Sequence, residues 1–283
     1  MFRCVLFFLF CLTLNLGWAQ KQNIAPPELD SLTALINEEI TLSQRQKLEI
    51  QVAEQYLTFA PEKSLSYAQL SLEKAQNLKN SLEIARSYRI LGKAFYNQGI
   101  FTKAIDCYLK ALKENGLQAD PLSLADTYQD LGLAYQYSKQ NELVSQYYQK
   151  ALELYQELDH PEGEAQTLGY IGHYYEKEGD DEQALEYQKQ SLHLLLKSGK
   201  SPGLGVIYDN IGSIYEDREE YDTAFYYFEK ALESNRQENN QIEMIVNLNN
   251  IGDTYRKRKN FDKALEYSLQ SLELARSLNQ NYQ

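Results

Sequence analysis

The sequence contains little cysteine, and this scarcity excludes one common route to a stable fold. Three cysteines occur among 283 residues, and two of them, Cys4 and Cys11, lie close to the N-terminus. The rest of the chain can form no internal disulfide, so its stability must come from packing. Cys107 stands in an apolar helical pattern next to Tyr108, which favours a buried structural thiol over a reactive one.

Positive charge is also scarce. Lys and Arg number 28 against 40 Asp and Glu, which gives a formal net charge of −12 and an isoelectric point near 4.9. Such a chain is a poor electrostatic match for a polyphosphate backbone, so nucleic-acid binding is not expected. The apolar fraction of 43% and the charged fraction of 24% are typical of a soluble globular protein. They argue against a disordered chain and against a membrane protein with several spans.

A long apolar run occurs only near the start of the chain. Arg3 supplies a positive charge, residues 5–16 form the apolar run, and Gly17 and Ala19 place small residues before Gln20. This order predicts a secretory signal peptide at 1–19, a linker at 20–27, and export to the periplasm or out of the cell. An uncleaved anchor is the alternative, although the run is shorter than the roughly 20 residues that cross a bilayer. Membrane contact is otherwise not expected.

Glycine is sparse, yet five of the fourteen glycines are regularly placed. They are spaced by forty residues, each follows Leu or Ile, and each precedes an aromatic residue by three positions: Gly92, Gly132, Gly172, Gly212 and Gly252. Ala, Val or Ser recurs twelve and nineteen positions after each glycine. The chain is therefore interpreted as five repeats. Their bounds are 81–120, 121–160, 161–200, 201–240 and 241–280.

The apolar residues of each repeat fall on two successive stripes at helical spacing, which predicts a helical hairpin. Helix starts are indicated by Asp120-Pro121, by Ser201-Pro202 and by Asp180 with a glutamine three residues later. A glycine inside a helix costs about 1 kcal/mol relative to alanine, so the regular glycines need a packing reason. We expect each glycine on a first helix to cross closely over an alanine on the second. Each hairpin is expected to bury its other face against its neighbours.

The order Leu/Ile-Gly-x-x-Tyr, then Ala, then Ala/Ser-Leu resembles the tetratricopeptide repeat, in the branch with longer helices that includes kinesin light chains. The resemblance implies an all-α fold, a right-handed α-solenoid of stacked antiparallel helix hairpins. Lys139, Glu219 and Lys259 depart from the family's turn glycine, which stands at Gly99 and Gly179. Residues 28–80 are interpreted as an N-terminal capping helix followed by a degenerate repeat.

The resemblance implies binding on the concave face, which the first helices of the hairpins line. Positions beside the core stripe would form a groove for an extended peptide or a helix, held by amide side chains. The candidate groove residues are Arg89, Lys93, Tyr96, Gln129, Leu133, Gln136, His173, Glu176, Asp209, Asn210, Ser213, Asn249, Asn250, Asp253 and Arg256. The alternative for each is a solvated helix surface. The clamp by which some family members hold a peptide carboxylate is not present, since Asp130 and Tyr170 stand at two of its positions.

The last predicted helix carries an apolar face made of Leu265, Leu269, Leu272, Ala275 and Leu278. Solenoids normally close with a helix whose outer face is polar. We therefore expect that part of this face packs inward, that it pairs with another subunit, or that the chain is the front part of a longer signalling protein.

The sequence contains no pattern of residues that is typical of an enzyme active site. The three histidines lack metal-ligand spacing, and Gly203 and Gly205 lack the strand and the third glycine of a dinucleotide loop. No catalysis, metal or cofactor is predicted. We predict a non-enzymatic protein–protein interaction scaffold whose ligand is a protein or peptide. The alternative is the extracytoplasmic sensor region of a bacterial membrane signalling protein, a sensor kinase or a regulator.

Overall fold

A computed structural model of the protein describes residues 27–38, 40–57, 60–115, 120–199 and 203–281. The signal peptide expected at 1–19 and the linker up to residue 26 lie outside these ranges. Within them the chain forms α-helices and no β-strand. The helices are α1 Pro27–Ile36, α2 Leu42–Tyr56, α3 Pro61–Asn77, α4 Ser81–Asn97, α5 Phe101–Asn115, α6 Pro121–Tyr137, α7 Asn141–Glu157, α8 Pro161–Glu178, α9 Asp181–Ser198, α10 Leu204–Asp217, α11 Tyr221–Gln237, α12 Gln241–Lys257 and α13 Phe261–Asn281.

Twelve of these helices form hairpins, from α2 with α3 to α12 with α13, and the pairs recur every forty residues. The all-α fold of stacked helix hairpins is therefore confirmed. The chain divides into two compact units, Met1–Ala151 and Leu152–Gln283, here called the N-terminal unit and the C-terminal unit. Within the N-terminal unit, α1 packs Leu29 against Val52 and Tyr56 of α2.

Several helices begin at the capping residues that the sequence indicated. The Asp120 side chain accepts a hydrogen bond from the Ser123 backbone N–H at 3.2 Å, and α6 starts at the following proline. Asp180 accepts from the Gln183 backbone N–H at 3.1 Å and caps α9. These bonds satisfy N–H groups that a helix leaves unpaired at its start. Ser201-Pro202 lies outside the described residues, and α10 begins at Leu204.

The hairpin turn of each of the five repeats contains a residue with positive φ, seven positions after the repeat glycine. Gly99 and Gly179 adopt φ values of +74° and +82°, and Lys139, Glu219 and Lys259 adopt +60°, +62° and +61°. The left-handed region costs a residue with a Cβ roughly 1–2 kcal/mol. The same turn is therefore kept without glycine, at a cost in stability that the packing of the two helices offsets.

Three of the five repeat glycines make room for a ring, and Gly172 makes room for the Gln188 side chain, which corrects the expected crossing of glycine over alanine. A Cβ built on Gly132 would lie 2.6 Å from the Tyr148 ring, and one on Gly212 would lie 2.7 Å from the Phe228 ring. Tyr108 fills the same space at Gly92. The partner is the residue sixteen positions after the glycine, because its side chain lies flat on the exposed backbone of the first helix. Only Gly252, where an alanine carbonyl lies nearest, approaches the expected arrangement.

The C-terminal unit ends on α13, which exposes large apolar side chains. The exposed fractions are 66% for Phe261, 60% for Leu265, 54% for Leu269 and 45% for Leu272. Leu278 is buried, as expected under the alternative in which part of the apolar face packs inward. In the described part of the chain, no helix has the length and apolar character needed to cross a membrane.

The ring contact predicts that alanine substitutions at two equivalent repeat glycines, Gly212 and Gly252, change stability in opposite directions. Gly212→Ala forces a methyl group into Phe228 and is expected to lower the free energy of unfolding by about 1–3 kcal/mol. Gly252→Ala is the matched control, because the nearest atom to its new methyl group is 3.4 Å away. It is expected to raise the free energy of unfolding by up to about 1 kcal/mol through helix propensity. Urea denaturation of both variants measures this, and equal effects would contradict the ring contact.

Candidate functional site

The candidate groove residues lie on the first helices of the hairpins, and each unit carries its own group. The surface that they form within a unit is here called the first-helix face. In the N-terminal unit α4 and α6 supply it, and in the C-terminal unit α8, α10 and α12 supply it. The N-terminal group is Arg89, Lys93, Tyr96, Gln129, Leu133 and Gln136. The C-terminal group is His173, Glu176, Asp209, Asn210, Ser213, Asn249, Asn250, Asp253 and Arg256.

In the N-terminal unit, Arg89 of α4 is bound to two carboxylates of α6. Its guanidinium lies 2.9 Å from Asp126 and 2.8 Å from Asp130, and only 18% of its side chain is exposed. Lys93 lies 3.7 Å from the same Asp130 oxygen. Burial alone would lower the pKa of Arg89, but the carboxylates of Asp130 and Asp126 outweigh it and raise the pKa. The guanidinium therefore joins two adjacent hairpins and is largely neutralised there.

Three other N-terminal candidates take part in packing. Tyr96 contacts the Phe101 and Tyr137 rings edge-on, at centroid distances of 5.5 and 5.7 Å. Gln129 is buried. Gln136 accepts a hydrogen bond from the Tyr148 hydroxyl at 2.9 Å. Leu133 is half-buried. Much of this group is thus engaged in contacts within and between hairpins, and fewer side chains are open to a ligand than the sequence pattern indicated.

In the C-terminal unit, Asp209 of α10 is the centre of an amide network. Asn247 of α12 donates to one carboxylate oxygen at 2.7 Å, and Asn250 donates to both oxygens at 3.0 Å. Asn235 of α11 donates in turn to the Asn247 carbonyl at 2.7 Å. The network joins three helices of two hairpins through neutral donors.

Burial raises the pKa of Asp209 to about 6, against the lowering effect of the hydrogen bonds from Asn250 and Asn247. The negative charges of Glu243 and Glu176 raise it further. Burial also raises the pKa of Glu176, but the bond to His173 and the charge of Lys177 outweigh it, so that pKa lies below its usual range. The two acids therefore hold their protons over different pH ranges.

A second connection between α10 and α12 involves Glu216. Its carboxylate accepts from Thr254 and from Lys257, each at 2.6 Å. Sequence reasoning missed Asn235, Asn247 and both of these partners. A signal existed, because the bonded residues of α10 and α12 stand 38 to 41 positions apart, close to one repeat length.

Asn210, Ser213 and Asn249 are half-buried on the same first-helix face. They lie beside the Asp209 network in sequence, and their side chains offer a hydroxyl or amides to a ligand. Asp253 and Arg256 form an exposed ion pair, in which the guanidinium Nε lies 2.7 Å from the carboxylate. In the part of the chain that the structure describes, no group of three or more His, Cys, Asp or Glu side chains is arranged to hold a metal ion.

The raised pKa of Asp209 predicts how stability depends on pH. A carboxyl whose pKa is higher in the folded state than in the unfolded state stabilises the fold below about pH 4. That contribution is lost as the pH rises through about 6. From the ordinary value of 3.8 to about 6, the loss amounts to about 3 kcal/mol. Asp209→Asn removes this titration, so the variant should gain about 2.4 kcal/mol relative to the unaltered protein between pH 4 and pH 7.

Urea denaturation at several pH values measures that difference. Asp253→Asn serves as the control, because an exposed ion pair contributes little and its difference should stay within about 0.5 kcal/mol. A difference for Asp209→Asn that stays flat from pH 4 to pH 7 would contradict the assignment.

Comparisons with known proteins agree with this architecture. The model of the tetratricopeptide repeat matches residues 123–197, 163–237 and 203–277. No curated protein sequence matches the chain. Similar solved structures include the apo form of RapI, at 16% identity and a TM-score of 0.68, with 89% of this chain and 90% of that chain covered. BtubC from P. vanneervenii has 20% identity and a TM-score of 0.65, with 78% and 92% covered.

A third similar structure is a Rap protein complexed with Competence and Sporulation Factor, at 18% identity and a TM-score of 0.64, with 90% of this chain and 77% of that chain covered. At these identities the likeness concerns the fold. The match to the family model is a match of sequence. It extends from residue 123 to residue 277, which is more than half of the chain. This chain therefore belongs to the tetratricopeptide repeat family.

Proposed function

We propose that this protein is a non-enzymatic scaffold that binds a peptide or a helix of a protein partner on its first-helix faces. The observation that carries the proposal is the amide network of the C-terminal unit. Asn247 and Asn250 hold Asp209 in place, so the neighbouring Asn210, Ser213 and Asn249 lie on helices whose positions are already set. A rigid set of amides and hydroxyls loses little freedom when it binds the backbone of a ligand.

Charge supports a choice between ligands. On the C-terminal first-helix face, Glu176 and Glu216 are already paired with Lys177 and Lys257. Asp209 is held by neutral amides, so its charge is not balanced, which favours a segment with positive charge. The basic run at 256–259 does not reverse this, because Arg256, Lys257 and Arg258 lie within ion-pair distance of Asp253, Glu216 and Asp222. A Rap protein of similar fold has been solved in complex with Competence and Sporulation Factor, which supports ligand binding by this architecture.

We also propose that the scaffold acts outside the cytoplasm. The positive charge of Arg3, the apolar run at 5–16 and the small residues Gly17 and Ala19 support this location. The comparisons give no support to the alternative function, a sensor region of a membrane signalling protein.

Binding to the first-helix face is tested with one peptide and two substitutions of equal charge. Peptides are selected from a displayed random library against the purified protein, and the tightest is measured by calorimetry. Asn249→Arg changes the C-terminal first-helix face and should weaken binding at least about tenfold, which corresponds to about 1.4 kcal/mol. Gln190→Arg, on the exposed surface of α9, should leave the affinity within about twofold. Equal losses in both variants, or no loss in Asn249→Arg, would refute binding at this face.

Export is tested by fusing residues 1–30 to a reporter enzyme that needs disulfide bonds and is therefore active only outside the cytoplasm. We expect activity with the natural segment, and its loss when Leu6→Arg and Leu9→Arg break the apolar run. An inactive reporter with the natural segment would show that the segment does not direct export.

A further inference from the structure

Four hairpins share a stacked pair of tyrosines, one on each helix. The first tyrosine lies three residues after the repeat glycine, and the second lies twelve residues later. The ring centroids are 5.2 to 5.6 Å apart in all four pairs, and three of the pairs are within 8° of parallel. The pairs are Tyr135 with Tyr147, Tyr175 with Tyr187, Tyr215 with Tyr227 and Tyr255 with Tyr267. Stacked rings at this spacing attract one another and fill the outer part of the hairpin.

The hairpin of α4 and α5 breaks this series. Phe95 stands at the first position, but Cys107 stands where the other hairpins carry the second tyrosine. A thiol cannot fill the volume of a phenol ring. The structure has a cleft of about 430 Å³ at this place, lined by Leu72 and Gln76 of α3, Leu91 and Phe95 of α4 and Cys107 of α5. The volume is within the range of small-molecule sites.

In the next hairpin, a lysine lies over the tyrosine ring that has no counterpart in the hairpin of α4 and α5. Lys150 lies 5.2 Å from the centroid of Tyr147 and 5.4 Å from that of Tyr128. Lys110, forty residues earlier, lies 5.9 Å from the Tyr88 ring, which corresponds to Tyr128. The ammonium group is thus in position over one ring, while the place of the second ring is occupied by the cleft.

The rim of the cleft is positively charged. Lys103 lies 5.3 Å from the Phe95 centroid, and Lys110 is paired with Asp106 at 2.7 Å. Two ammonium groups and one carboxylate therefore line the opening, which leaves one positive charge in excess. At the base, burial raises the pKa of the Cys107 thiol to about 11, so it is protonated and uncharged at neutral pH. The cleft combines an apolar base, the half-buried ring of Phe95 and a cationic rim.

We propose that this cleft is a binding site for a small aromatic acid. Its ring takes the place of the absent tyrosine and stacks on Phe95, with Lys110 over the ring. Its carboxylate pairs with Lys103 at the rim. The site is independent of the first-helix face. Among the five repeats it is specific to this hairpin, because the four others carry a stacked tyrosine at the position of Cys107.

The test uses 4-fluorophenylacetate as the probe and the fluorine NMR line width as the readout, with the full chain. Cys107→Tyr restores the ring of the other hairpins and should weaken binding at least tenfold. The matched control, Tyr147→Cys, leaves the natural cleft intact and should retain the affinity of the unaltered protein or add a second site. Cyclohexylacetate, which has the charge without the aromatic face, should compete at least tenfold less well than phenylacetate.

Lys103→Gln together with Lys110→Gln provides a second variant that keeps the core intact, since glutamine occurs naturally at these two phases as Gln183 and Gln190. It should weaken the acid at least fivefold and change the binding of neutral 4-fluorotoluene by less than twofold. No broadening with the unaltered protein would overturn the proposal, as would unchanged binding in folded Cys107→Tyr. If that variant does not fold, unchanged binding in the double lysine variant overturns it. Tighter binding of a neutral peptide containing 4-fluorophenylalanine would replace the small acid with a partner's side chain.

Discussion

Burial of each hairpin against its neighbour is the constraint on which the rest of this structure depends. Two helices can cover only one side of each other, and the remaining apolar sides must be covered from outside the hairpin. In the C-terminal unit, Ala165 and Leu185 of one hairpin share a core cluster with Ile211 of the next. Phe228 and Ile251 make the following junction. The contacts of Gly92, Gly132 and Gly212 with a ring, in contrast, lie inside a hairpin.

Polar side chains add specific hydrogen bonds and ion pairs to the apolar contacts between adjacent hairpins. Arg89 joins α4 to α6 by ion pairs, and Asp209 joins α10 to α12 through asparagines. The same place in the repeat thus carries a cation in one unit and an anion in the other. The two first-helix faces consequently present different charge to a ligand, even though the helices beneath them follow one pattern.

The forty-residue spacing of the glycines made the fold predictable, because the helix hairpins recur at the same spacing. Asp120 and Asp180 were recognised as caps because a cap acts on its own helix, within three residues. Contacts between helices were harder to predict. Alanine was the expected partner of each glycine, but four of the five glycines meet the larger side chain sixteen residues later, a ring in three cases and Gln188 in the fourth. Periodicity identifies which positions face inward, but it does not determine which side chains come into contact.

The candidate site was predictable only as a surface. Arg89 and Asp209 were both expected to contact ligand, yet each is bound by side chains one repeat away. Counting polar residues on one helix could not detect this, because the partner belongs to the next hairpin. Cys107 was correctly expected to be buried. The sequence analysis did not show that Cys107 replaces one ring of a stacked tyrosine pair, because the stacking of the four other pairs is seen only in the structure.

Hydrogen exchange of the backbone amides tests the neighbour dependence most directly, when the unaltered protein is compared with Ile211→Ala. This side chain is fully buried at a junction between hairpins, and its truncation should cost about 2–5 kcal/mol. If stacking stabilises the fold, exchange should become faster in α8 and α9 and in α12 and α13, as well as in the altered hairpin. Faster exchange confined to α10 and α11 would contradict the account, because each hairpin would then be stable by itself.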